Sequence, residues 1–174
     1  HVSEYSLQSS LLTLPCSLDN QPGETKEYIE RALSIWVMTR IYFLGGEDIA
    51  KRDSREIDKR AFIDAGGAPV VLIFNWTAES VDETDKYKKI MADYFQELGA
   101  SKIEFAEYSD SLEEIAEKIN GSDLIYLPGG LTRLLVERIR NAKVDGLLRK
   151  YDKVIIGNSA GALALCRDYI LTRG

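Results

Sequence analysis

Five short apolar runs, spaced along the chain and each followed by a helix-patterned stretch, constrain the fold more than any other feature. The runs are Arg40 to Leu44, Pro69 to Asn75, Lys102 to Ala106, Leu124 to Leu127 and Val154 to Ile156. Val-Val-Leu-Ile-Phe at the centre of the second run is apolar at every position rather than at every other one, so both of its faces must be covered. The intervening segments repeat with a helical period. Ser54 to Ala65 is stopped by Gly66-Gly67, and Ser111 to Ile119 opens with a capping box of Ser111 and Glu114. Asp82 to Leu98 places Tyr87, Ile90, Met91, Tyr94, Phe95 and Leu98 three and four residues apart and ends at Gly99. Thr132 to Asn141 and Val144 to Lys150 complete the set. This alternation predicts an α/β fold of three layers, α/β/α, with a mostly parallel sheet joined by right-handed crossovers.

In such sheets ligands bind at the carboxyl ends of the strands. Four loops fall there: Gly45-Gly46, Asn75-Trp76, Pro128-Gly129-Gly130 and Gly157-Asn158-Ser159. They are expected to converge on one edge. The last of them belongs to Val154-Ile155-Ile156-Gly157-Asn158-Ser159-Ala160-Gly161-Ala162, a buried strand, a sharp turn and a small-residue helix. This is the Gly-x-Ser-x-Gly pattern, in which a strained turn lifts a serine hydroxyl above the sheet. A Cβ two residues to either side of the serine would collide with the neighbouring strand and helix. Ser159 is therefore the candidate nucleophile. The backbone N–H of Ala160 is one expected oxyanion donor, and Gly130 of the Gly129-Gly130 loop is the source of a second. Gly129 and Asn158 are expected to line the substrate site. Gly45-Gly46-Glu47 fits either a crevice wall or a plain turn. Asp82, Glu83 and Asp85 suit a helix N-terminus.

Composition narrows the rest. The chain has 174 residues and a net charge of −6, which disfavours nucleic acid and anionic membrane as partners. No apolar run approaches a transmembrane span, and no His/Cys cluster has metal-ligand spacing, so neither metal nor cofactor is expected. Cys16 and Cys166 are too few for a disulfide framework, which points to the cytoplasm; Cys166 is expected to be a small buried hydrophobe on the helix after Ser159. His1 to Val37 precede the first methionine, Met38, and are read as an extension of unclear origin containing a short amphipathic helix over Glu24 to Trp36.

Three segments carry a resemblance: Phe43-Leu44-Gly45-Gly46, Leu127-Pro128-Gly129-Gly130-Leu131-Thr132, and Ile156-Gly157-Asn158-Ser159-Ala160-Gly161-Ala162. In this order, over Met38 to about Gly174, they resemble the aspartyl dipeptidase (dipeptidase E) and cyanophycinase family of serine peptidases. The resemblance implies a flavodoxin-like sheet of the class I glutamine amidotransferase type, with serine where the amidotransferases carry cysteine. It implies cofactor-free hydrolysis of short peptides, often next to aspartate, through an acyl-enzyme on Ser159. Gly130 and Ala160 match the loops of the family's oxyanion hole. Leu131 departs from the family's usual Asn. The family's histidine and its acidic partner follow the serine and would fall at or beyond Gly174, so the sequence reads as the amino-terminal part of such a domain. The only histidine of the chain is His1.

Two functions follow as expectations. One is a serine peptidase with a small peptide substrate. The other is an inactive member of the fold serving as a binding or assembly module. Missing strands would leave an open sheet edge, which favours a homo-oligomer.

Overall fold

The computed structural model describes residues 39–166. The extension His1 to Val37, with its expected helix, lies outside the described residues, as do the residues after Cys166. The strands are β1 (Arg40–Leu44), β2 (Val70–Phe74), β3 (Lys102–Ala106), β4 (Leu124–Leu127) and β5 (Val154–Asn158). The helices are α1 (Arg55–Asp64), α2 (Val81–Leu98), α3 (Leu112–Gly121), α4 (Thr132–Asn141), α5 (Asp145–Lys150) and α6 (Ala160–Ala164).

The five strands among the described residues are parallel, in the order β1-β5-β4-β2-β3. Alternate side chains of β2 to β5 feed two separate cores, and β1 adds Leu44 to one of them. Leu72, Phe74, Ile125, Leu127 and Ile155 pack with Ile115, Leu135, Ile139 and Leu148 of α3, α4 and α5. Val71, Ile73, Leu124, Tyr126, Val154 and Ile156 pack with Ala61 and Phe62 of α1 and with Met91, Tyr94 and Phe95 of α2. The three-layer α/β/α architecture is thus the expected one, with β4, β5 and β2 as its apolar spine.

Local chemistry sets the helix ends. Ser80 caps α2 by accepting from the Glu83 N–H at 3.2 Å, and Gly99 ends it in the left-handed conformation. The Ser111 hydroxyl accepts from the Glu114 N–H at 3.2 Å while the Glu114 carboxylate accepts from the Ser111 N–H at 2.8 Å, so the expected capping box is formed. Ser111→Ala, which breaks this exchange, is expected to lower stability by about 1 kcal/mol. Equilibrium denaturation in urea reads this directly; an unchanged midpoint would mean that α3 does not depend on its cap.

Two expectations need correction. The last strand runs on to Asn158 rather than stopping at Ile156, because Gly157 and Asn158 still pair with Phe43 and Leu44 of β1. Cys166 is exposed rather than buried. Helix α6 is only five residues long and ends at Ala164, so Cys166 lies past its end instead of on its packed face.

Candidate active site

The carboxyl edge of the sheet carries a crevice of about 700 Å³. Gly46, Asn75, Pro128, Gly129, Gly130, Asn158 and Ser159 line it, which brings together loops from β1, β2, β4 and β5 as the alternation predicts. Gly45, Trp76 and Gly157 do not line it. Trp76 departs furthest. It turns inward, is buried, and donates its indole N–H to the Ala106 carbonyl at 2.7 Å.

Ser159 sits between β5 and α6 with φ 46° and ψ −101°, a conformation that L side chains rarely adopt. Holding it there costs on the order of 1–3 kcal/mol, and such strain persists only where the surroundings impose it. Three backbone bonds do so. The Ser159 N–H donates to the Leu44 carbonyl of β1 at 2.9 Å, its carbonyl accepts from Leu163 at 3.0 Å, and the Gly161 N–H donates to the Pro128 carbonyl at 3.1 Å. The turn is therefore tied to β1 on one side and to the β4 loop on the other.

The glycines of the turn have steric reasons. A Cβ on Gly161 would lie 2.0 Å from the Leu127 carbonyl oxygen, and one on Gly157 would lie 2.9 Å from the backbone of Ala162. The expected collision with neighbouring strand and helix is present at both positions. Gly129 faces the serine from the end of β4, and Gly130 packs against Thr77. A Cβ on Gly129 would touch the Ser159 Cβ and the Asn158 amide at 3.5 Å, and one on Gly130 would meet the Thr77 side chain at 2.7 Å. The Leu131 N–H then donates to the Thr77 carbonyl at 3.2 Å. Ala160, the first residue of α6, is fully buried, and its N–H precedes the first intrahelical bond. All five residues singled out in the sequence, Gly129, Gly130, Asn158, Ser159 and Ala160, thus fall at one corner of the sheet.

Asn158 does more than line the crevice. Its side-chain oxygen accepts from the Glu47 N–H at 2.8 Å, and its amide donates to the Glu47 carbonyl at 3.2 Å and to the Tyr126 hydroxyl at 3.3 Å. The Gly45-Gly46-Glu47 segment is therefore a wall of the crevice and not merely a turn. Glu47 accepts from the Tyr126 hydroxyl at 3.3 Å. Burial, and next the charge of Asp58, push its carboxyl up to about 8. Burial likewise raises Asp58, which accepts from the Tyr94 hydroxyl at 2.5 Å. Sequence reasoning missed this cluster, although a signal was there. Asp58 shares one face of α1 with Ala61 and Phe62, and a carboxylate on an apolar helical face needs a partner.

No group of three or more His, Cys, Asp or Glu among the described residues could hold a metal. Nor, among them, is any helix long and apolar enough to cross a membrane.

A family model of peptidase family S51 matches residues 44–173, from the end of β1 through the serine turn and beyond. The chain belongs to peptidase family S51. An uncharacterized peptidase of Listeria innocua is 31% identical over 90 residues, which is 50% of this S51 chain and 43% of the relative. An uncharacterized peptidase of Pasteurella multocida is also 31% identical over 90 residues, 50% of this chain and 44% of the relative. The match thus spans less than half the length of these relatives. Among solved structures, a candidate peptidase E protein from Listeria monocytogenes EGD-e superposes with a TM-score of 0.59 at 24% identity, over 72% of this chain and 61% of that one. A peptidase from an acI-B1 actinobacterium superposes with a TM-score of 0.56 at 20% identity, over 71% and 55%. At these identities the two structures bear on the fold of the S51 domain, and they agree with it.

Proposed function

We propose that this S51 chain is the nucleophile-bearing part of a serine-type peptidase that cleaves short peptides through an acyl-enzyme on Ser159. The observation that carries this reading is the strained backbone of Ser159, held against the Gly129-Gly130 loop in a crevice open to ligand. A peptide carbonyl over the serine would be attacked by Oγ. The N–H groups of Ala160 and Gly130 would receive the oxyanion, and collapse would release the amine and leave an ester on the serine. The Gly130 N–H has no acceptor among the described residues, which suits a donor reserved for substrate. A base must take the hydroxyl proton, and no histidine lies among the described residues. The family's histidine belongs to the segment after the serine.

Preference for aspartate rests on the family resemblance alone. Besides Glu47, whose carboxyl burial raises, the described wall carries Asp48, Glu79 and Glu83 and neither lysine nor arginine. This part of the crevice therefore suits the amino end of a peptide, and a cation that meets an aspartate side chain would come from elsewhere in the protein. A fluorophosphonate probe tests the reading, because it labels only an activated serine. Mass spectrometry is expected to find the adduct on Ser159. Absence of an adduct there would favour the second reading, a binding or assembly module, whose motivation is that no histidine lies among the described residues.

A further inference from the structure

Beneath the crevice wall, on the side of the sheet covered by α1 and α2, five polar side chains form two hydrogen-bonded runs, each ending on a carboxyl. The Asn158 amide donates to the Tyr126 hydroxyl, which donates to Glu47 Oε2. From the other end, the Tyr94 hydroxyl donates to Asp58 Oδ2. The Glu47 and Asp58 carboxyls lie close enough to influence each other. Two buried side-chain atoms among the described residues lack any partner, and they are Glu47 Oε1 and Asp58 Oδ1. Two ionised carboxylates cannot satisfy one another, because each offers only lone pairs. One proton between the orphan oxygens removes both deficits and half of the buried charge. It also joins the two runs. Glu47, carrying the proton, donates to Asp58 and keeps Oε2 as acceptor for Tyr126, and every donor then points towards Asp58.

The groups facing the pair offer no counter-charge. Asp53, from the loop before α1, adds negative potential. Tyr94 of α2 and Tyr126 of β4 are neutral donors whose hydroxyls burial raises far above neutrality. Arg55 of α1 bears on Tyr94 and is paired with Glu97 at 3.1 Å.

We propose that Glu47 and Asp58 share a single proton, and that this acid pair positions Ser159 through Tyr126 and Asn158. The positioning role rests on Ser159 being the nucleophile; the shared proton does not. Asn158 immediately precedes the serine, and its side chain clasps the Glu47 backbone on both N–H and carbonyl. Removing the proton places two negative charges side by side in a buried site. Glu47 is then driven away from Asp58, and Tyr126 and Asn158 lose the anchor that sets the turn. The folded state binds this proton more tightly than the unfolded chain. Its contribution to stability is therefore complete below the ordinary glutamate value of 4.5 and is lost as pH rises through about 8.

Carboxyl-resolved carbon-13 NMR of the wild-type protein tests the shared proton. One glutamate carboxyl is expected to titrate near 8. If every Asp and Glu carboxyl titrates below about pH 6, as unperturbed groups do, the shared proton is excluded. The positioning role is tested by the rate of fluorophosphonate labelling at Ser159, taken as the ratio of the rate at about pH 9.5 to that at about pH 7 within each protein. In Glu47→Gln and in Asp58→Asn an amide supplies the missing donor at every pH. The wild-type ratio is expected to be about tenfold lower than that of either variant. Equal ratios in all three would overturn the positioning role. Labelling absent at every pH, with the NMR titration present, would remove Ser159 as nucleophile and with it the positioning role, while the shared proton stands. If one variant fails to fold, the other carries the comparison.

Discussion

Gly161→Ala is expected to destabilise the protein by about 3 kcal/mol or more, although glycine to alanine within a helix is ordinarily favourable by about 1 kcal/mol. The added methyl would lie 2.0 Å from the Leu127 carbonyl oxygen and 2.6 Å from its carbonyl carbon. These are backbone atoms of a central strand and cannot rotate aside. Relief would require α6 to move off β4, which breaks the bond from the Gly161 N–H to Pro128 and displaces Ser159. Gly146 in α5 is the control, since a Cβ there meets nothing within 4 Å. Gly146→Ala is expected to stabilise by up to about 1 kcal/mol. Urea unfolding of both variants decides the matter. A Gly161→Ala protein as stable as wild type would mean that the serine turn does not pack against β4 as described.

The second large effect is chemical. In a form of the protein that hydrolyses peptides, Ser159→Ala should lower turnover by at least about 10³-fold, because the nucleophile acts as one part of a unit. Turnover within a few-fold of wild type would exclude the serine from the mechanism. Folding supplies an independent readout on the same residue. Ser159→Gly is equally inactive on this view, yet glycine accepts the backbone at φ 46° without strain. It is expected to melt at or above the temperature of Ser159→Ala, so inactivity and destabilisation separate.

Much of this arrangement was legible in the residues. β1, β3, β4 and α4 have the bounds that period and turn residues predict, because each is a short apolar or amphipathic run with a polar, glycine or proline stop. The serine turn was legible because Gly157 and Gly161 report a steric requirement local to the motif. Strand order was not, since nothing within β1 says that it pairs with β5 instead of β2. The acid pair also escaped, for a related reason. Glu47, Asp58, Tyr94, Tyr126 and Asn158 come from five different segments, and each alone fits a plainer role as turn, helix or core residue. Only the tertiary fold brings the two carboxyls near each other. The short reach of α6, and with it the exposure of Cys166, was not legible because no proline or glycine after Gly161 marks a stop there.

The pairing of β1 with β5 bears on how the molecule comes into being. Arg40 lies beside Val154 and Leu44 beside Asn158, so the first described strand has its sheet neighbour almost a whole domain later in the chain. Closing so long a loop is entropically slow, and it yields contacts only at the end. In a nascent chain that has emerged as far as β4, β2, β3 and β4 can pair with one another, while β1 has no neighbour. When β5 arrives it fills the slot between β1 and β4, and in the same event the Ser159 amide meets the Leu44 carbonyl. The serine turn therefore takes its shape only when β5 joins β1, later than the strands β2, β3 and β4 become available to one another.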